Sequence, residues 1–122
     1  MSQEAALLKE AGVYFVATVD GDQPKLRPFG VINEFEGKVY LATSNDKAVF
    51  AQFIANPKVQ LSANLPNKWF RIKGKLVQDA RDEAKQSFLD HNERLKEIYS
   101  GEPFKHLEVL YLTDVTTTVY ES

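Results

Sequence analysis

Two stretches of the chain alternate apolar and polar residues with a period of two. Over Lys58 to Asn64, Val59, Leu61 and Ala63 share one face and Lys58, Gln60, Ser62 and Asn64 the other. Over Trp69 to Gln78, Phe70, Ile72, Gly74 and Leu76 oppose Trp69, Arg71, Lys73, Lys75 and Val77. Strands with one polar face are the pattern of a barrel wall. Val13 to Val19 is apolar or β-branched almost throughout, which predicts a strand buried on both faces. The turn cluster Asp20-Gly21-Asp22-Gln23-Pro24 leads into a return strand over Lys25 to Glu34, interrupted where Pro28 and Gly30 break the ladder. Glu36-Gly37 turns into a strand over Lys38 to Thr43. Leu107 to Leu112 and Val115 to Tyr120 predict two closing strands.

Helix signals are fewer. Ser2 is a cap for Gln3 to Ala11, and Gly12 stops that helix. Asn45 or Asp46 is the expected cap for Lys47 to Ala55, whose Val49, Phe50, Phe53 and Ile54 fall on one face before Asn56-Pro57 ends it. Arg81 to Tyr99 reads as one long helix, terminated by Gly101 and Pro103. Seven strands adjacent in sequence and three helices predict a single mainly β (α+β) domain over residues 1–122. Its expected form is an antiparallel split β-barrel with the helices packed outside.

Composition narrows the function classes. A chain of 122 residues with 43% apolar and 26% charged residues can hold one core without staples, so wholesale disorder is excluded. The longest apolar run, Val13 to Ala17, is too short for a membrane-spanning helix. Met1 to Ala5 carries an acid and no basic segment, so no signal peptide is expected. The absence of cysteine removes disulfides, thiolate metal sites and thiol nucleophiles, and fits a cytoplasmic address. A formal net charge of −2 weighs against bulk attraction to nucleic acid or anionic membrane. Dinucleotide-binding, P-loop, zinc-protease and nucleophile-elbow motifs are all missing. His91 and His106 read as surface residues, and no metal site is expected.

Two segments suit an anion. In Lys25-Leu26-Arg27-Pro28-Phe29-Gly30, Arg27 offers a planar fork for phosphate, and the broken ladder at Pro28 and Gly30 frees backbone groups. In Ala42-Thr43-Ser44-Asn45-Asp46-Lys47, a strand ends in two hydroxyls and an amide just before a helix begins. Hydroxyls and free N–H groups at a helix N-terminus attract anions, and Lys47 adds a full charge.

The order of these segments carries a resemblance. Thr18-Val19-Asp20-Gly21-Asp22-Gln23-Pro24-Lys25-Leu26-Arg27-Pro28-Phe29-Gly30 precedes Thr43-Ser44-Asn45-Asp46-Lys47, then Ala55-Asn56-Pro57-Lys58-Val59-Gln60-Leu61, then Trp69-Phe70-Arg71-Ile72-Lys73-Gly74-Lys75. Over roughly residues 3 to 120 the chain resembles the pyridoxamine 5′-phosphate oxidase-like FMN-binding split-barrel proteins. The resemblance implies FMN at the interface of a homodimer. It implies that Arg27 and Lys47 hold the phosphate with Thr43, Ser44 and Asn45 near it. The Pro28-Phe29-Gly30 backbone would meet the ring edge, and Trp69 and Arg71 would belong to the partner's side of the pocket. The segment Val115 to Ser122 has no Arg or Pro where the full oxidases carry substrate-binding basic residues, so pyridoxamine phosphate is not the expected substrate.

These features point to an FMN-dependent oxidoreductase or reductase of a small electron-poor molecule, because a flavin carries its own electron chemistry. Apolar and aromatic residues such as Phe29, Phe35 and Trp69 are many for so small a barrel and suggest a C2 dimer interface. The competing reading is a small-barrel module for single-stranded nucleic acid, with Trp69 stacking and Arg71, Lys73 and Lys75 on phosphates. On a strand, however, Phe70 points away from that face.

Overall fold

The computed structural model describes residues 2–121. Its element order is α1 (Gln3–Ala11), β1 (Tyr14–Asp20), β2 (Gln23–Phe29), β3 (Asn33–Phe35), β4 (Lys38–Ser44), α2 (Ala48–Ala55), β5 (Lys58–Leu65), β6 (Lys68–Asp79), α3 (Asp82–Asp90), α4 (Glu93–Tyr99), a 3₁₀ turn (Glu102–His106) and β7 (Leu107–Glu121). The strands form one antiparallel sheet in the order β2-β1-β5-β6-β7-β4-β3. Although β1 and β4 stand near opposite ends of that order, Val16 of β1 and Leu41 of β4 belong to one buried cluster with Leu61, Phe70, Ile72 and Leu110. The sheet therefore curls around a common core, as a split barrel does. Among the described residues no helix is long and apolar enough to cross a membrane.

The strand count of seven is reached differently from the expectation. The segment 25–34 is two strands, β2 and β3, because pairing with β1 ends at Phe29. The two closing strands are one long strand, β7, bent at a bulge where Asp114 (φ 54°) and Val115 oppose Gly74. β1 is buried on one face only: Tyr14, Val16 and Thr18 point inward, while Phe15 remains 44% exposed. The long helix is likewise two. Ser87 O interacts with the His91 ring at Nδ1 (2.8 Å) and Phe88 O accepts from Asn92 Nδ2 (2.9 Å), so side chains take the last-turn carbonyls and α3 stops.

α1 is capped as the sequence suggests, with Ala5 N donating to Ser2 Oγ (3.1 Å) and Gly12 at φ 74°. Its Leu7 and Leu8 enter the barrel core, and Thr117 Oγ1 donates to Glu4 (2.7 Å). On the opposite side of β4 and β7, Ala84, Phe88 and Leu89 of α3 pack a second core with Tyr40, Leu107 and Val109.

A buried carboxylate joins the corner between β6 and α3 to the turn between β3 and β4. Asp79 accepts from Tyr40 Oη (2.8 Å) and from Arg81 Nε and Nη2 (3.0 and 2.9 Å), a two-pronged pair. Arg81 also reaches Glu36 and lies over the Phe35 ring. The guanidinium holds the Asp79 carboxyl well below its usual range. Burial, with Asp79 alongside, pushes the Tyr40 hydroxyl up to about 12.

Two expectations follow for stability. A carboxylate whose folded pKa is depressed stabilises the fold above its unfolded value, and that contribution fades as pH falls below about 4. Asp79→Asn should therefore cost about 1.5–3 kcal/mol at neutral pH, toward the lower end because Arg81 is partly exposed. Urea unfolding should show the gap to wild type closing in acid; a gap unchanged at pH 3 would count against this pairing. Separately, a Cβ at buried Gly74 would stand 2.9 Å from Thr113 O, so Gly74→Ala should cost about 1–3 kcal/mol in the same titration.

Candidate functional site

The end of β4 and the start of α2 carry the groups that the sequence suggests for an anion. Thr43 and Ser44 are buried, 6% and 5% exposed. Alternation along β4 puts Thr43 on the face of Val39 and Leu41, toward the barrel core. α2 begins at Ala48, one residue later than the sequence suggests, and its cap position is Lys47, which supplies no side-chain acceptor. The residues suited to capping are engaged elsewhere. Asn45 Nδ2 donates to Glu108 Oε2 (3.0 Å) and Lys105 O (3.0 Å), and its Oδ1 meets the His106 ring at 3.1 Å. Hydrogen bonding from the Ser44 hydroxyl holds the Asp46 carboxyl below its usual value, helped by Lys47 and His106. The first turn of α2 thus keeps its N–H groups free of any side-chain cap, the condition for anion binding at a helix start.

β2 brings the second segment to the same helix. Phe29 packs on the core, its ring 6.1 Å from Tyr14 and 6.3 Å from Phe53 of α2. Arg27 lies two residues earlier on the same face and is half-buried. Pro28 and Gly30 are exposed. Neither Arg27 nor Lys47 has an acidic partner among the described residues.

Trp69 and Arg71 stand on the other face of the sheet, opposite Phe70 and Ile72. Trp69 stacks on Tyr120, with centroids 4.2 Å apart and planes at 15°. The Arg71 guanidinium lies 5.5 Å from the Trp69 centroid and 5.7 Å from that of Tyr120. Within one chain these two residues do not share a site with Arg27 and Thr43. Their outer face continues through Phe15, Pro28 and Leu26 by strand register. The residues expected at an interface, Phe29, Phe35 and Trp69, have partners within the chain, whereas Phe15 and Leu26 (66%), not singled out by the sequence, are exposed.

A cavity of about 470 Å³ opens beside Gly30, the one candidate residue on its wall. Leu8 and Tyr14 line its apolar side, and Asn33, Glu34 and His91 its polar side. Burial raises the Tyr14 hydroxyl pKa, and that hydroxyl donates to Val31 O (2.7 Å). His91 of this lining stands at the break between α3 and α4, which periodicity did not reveal. Glu108 was also missed, since an isolated acid in a strand carries no local signal.

Against known families, residues 2–116 match the pyridoxamine 5′-phosphate oxidase family. The chain belongs to that family. It is similar to a NimC/NimA family protein from Clostridium acetobutylicum, at 39% identity over 97% of this chain and 82% of that one, with a TM-score of 0.92. A putative pyridoxamine 5′-phosphate oxidase from Listeria innocua shares the fold at 17% identity, covering 96% and 94% of the two chains, with a TM-score of 0.76. So does an FAD- and haem-binding protein from Mycobacterium smegmatis, at 17% identity over 99% and 71%, with a TM-score of 0.75. No curated protein sequence matches the chain. Membership in the pyridoxamine 5′-phosphate oxidase family accords with the split barrel.

Proposed function

We propose that the protein is a cytoplasmic, dimeric FMN-dependent oxidoreductase that reduces a small electron-poor molecule. The observation that carries this reading is the uncapped first turn of α2 beside buried Thr43, with Lys47 at its start and Arg27 on the strand whose Phe29 packs against the same helix, neither cation having an acidic partner among the described residues. A phosphate dianion is the ligand such a set of donors suits. Family membership and a fold shared with a flavin-binding protein support the choice of flavin.

In this reading the N–H groups of Ala48 and Val49, the Thr43 hydroxyl, Arg27 and Lys47 hold the phosphate, while the Ser44 hydroxyl serves Asp46. Asn45, whose side chain is satisfied by β7 and the 3₁₀ turn, shapes the loop instead. The backbone of Pro28-Phe29-Gly30 meets the ring edge. The outer-face residues Trp69 and Arg71 close the site from a second copy of the chain. Bound FMN would supply the hydride and electron chemistry. The cavity beside Gly30 is the place for substrate, with Asn33, Glu34 and His91 to orient it and Leu8 and Tyr14 to exclude water. The nucleic-acid reading draws less support, since Trp69 already gives one ring face to Tyr120 and Arg71 is held over both rings.

Arg27→Ala and Lys47→Ala should each weaken FMN binding by about one to two decades, with exposed Lys47 at the lower end. Fluorescence titration giving wild-type affinity for both variants would sink the phosphate site. Phe15→Glu should disrupt the dimer, because it places a charge in the apolar part of the outer face. Light scattering checks this: a wild-type monomer at micromolar concentration that still holds FMN would refute the shared site.

A further inference from the structure

Asn-Asp ahead of a helix is a strong capping sequence, yet α2 is capped by neither residue. The Asn45 side chain has two N–H donors and one oxygen. Both donors point away from α2, to Lys105 O and Glu108 Oε2, and the oxygen is met by His106. Glu108 is only 8% exposed, lies in register with Thr43, and forms no salt bridge among the described residues. Its other oxygen accepts from Gln78 Nε2 (2.9 Å). Burying a carboxylate without a cation is unfavourable and calls for a reason. The surroundings supply one. Two amide N–H groups converge on this side chain, and only an acceptor-only group satisfies both.

We propose that Glu108 is a positioning residue that withholds Asn45 from the N-terminus of α2 and so keeps the first helical turn open to the flavin phosphate. The inference rests on the FMN reading given above. Without the carboxylate, Asn45 loses one of the three contacts that hold its orientation, the one made to a charged acceptor. Its oxygen then competes with phosphate for the N–H groups of Ala48 and Val49. The loss falls on phosphate recognition and leaves the ring contacts intact.

Riboflavin, which has the ring of FMN without its phosphate, separates the two effects. Both flavins would be titrated into the wild type, Glu108→Ala, Asn45→Ala and the double variant. Wild type should prefer FMN. Glu108→Ala should lose about tenfold in FMN affinity, with riboflavin binding held within about threefold. The double variant should recover the FMN preference, because the competing cap is gone, and should match Asn45→Ala. If Glu108→Ala does not fold, Glu108→Gln carries the test, since it keeps the volume but sets an N–H group against a neighbouring amide; the same selective loss is expected. Equal losses for both flavins, an unchanged FMN preference, or a double variant no better than Glu108→Ala would each overturn the proposal. A wild type that does not distinguish FMN from riboflavin would overturn the phosphate reading itself, and this inference with it.

Discussion

Phe53, buried against Phe29 and the barrel core, is the contact on which the candidate site depends. It seats α2 against the β1–β2 side of the sheet, and the buried Thr18–Gln52 hydrogen bond (2.9 Å) fixes the helix there. The N-terminus of α2 is tied by only three residues to the end of β4, at the far side of the strand order. One short helix therefore brings the segment of Arg27 and the segment of Thr43 to a common neighbour. Curling the sheet around one core makes this possible: in a flat sheet β2 and β4 would be separated by four strands.

Electrostatics then presents a difficulty. The surroundings of α2 hold three carboxylate or carbonyl acceptors close to the place proposed for a dianion: Asp46, Glu108 and Lys105 O. Left free, they would repel phosphate. Each already has a donor. Ser44 serves Asp46, Gln78 and Asn45 serve Glu108, and Asn45 also serves Lys105 O. Among the described residues Lys47 and Arg27 have no acidic partner, and the first turn of the helix has no side-chain cap. Serving these acceptors with donors from the same loop and strands leaves the two cations and the helix start as the groups a phosphate would meet.

Much of the architecture is legible in the sequence because burial imposes a short period on it. β5 and β6 alternate cleanly, and both the strand type and the inward set of Phe70, Ile72, Gly74 and Leu76 can be read directly. Breaks made by side chains are harder to read. The interruption between α3 and α4 depends on where the side chains of His91 and Asn92 turn, and the cap of α2 on a residue sixty-three positions away, Glu108. Local propensity favoured Asn45 as the cap, and a tertiary contact redirected it. The segments of the site are therefore visible in sequence, whereas the wiring that leaves the helix start open is not.

The outer face follows from the same geometry. A strand that buries alternate residues must present the others, and β6 presents Trp69 and Arg71 where β7 presents Tyr120. Stacking Trp69 on Tyr120 beneath Arg71 limits the apolar area left to water. Across β5, on β1 and β2, no such device among the described residues covers Phe15 and Leu26. An apolar stretch beside a rigid aromatic and cationic stack is a surface suited to a matching surface, and a two-fold axis would supply one from the same sequence. The polar half would then give orientation and the apolar half affinity. In such an arrangement residues on opposite faces of one sheet, such as Arg27 and Trp69, serve a single site only when two copies meet.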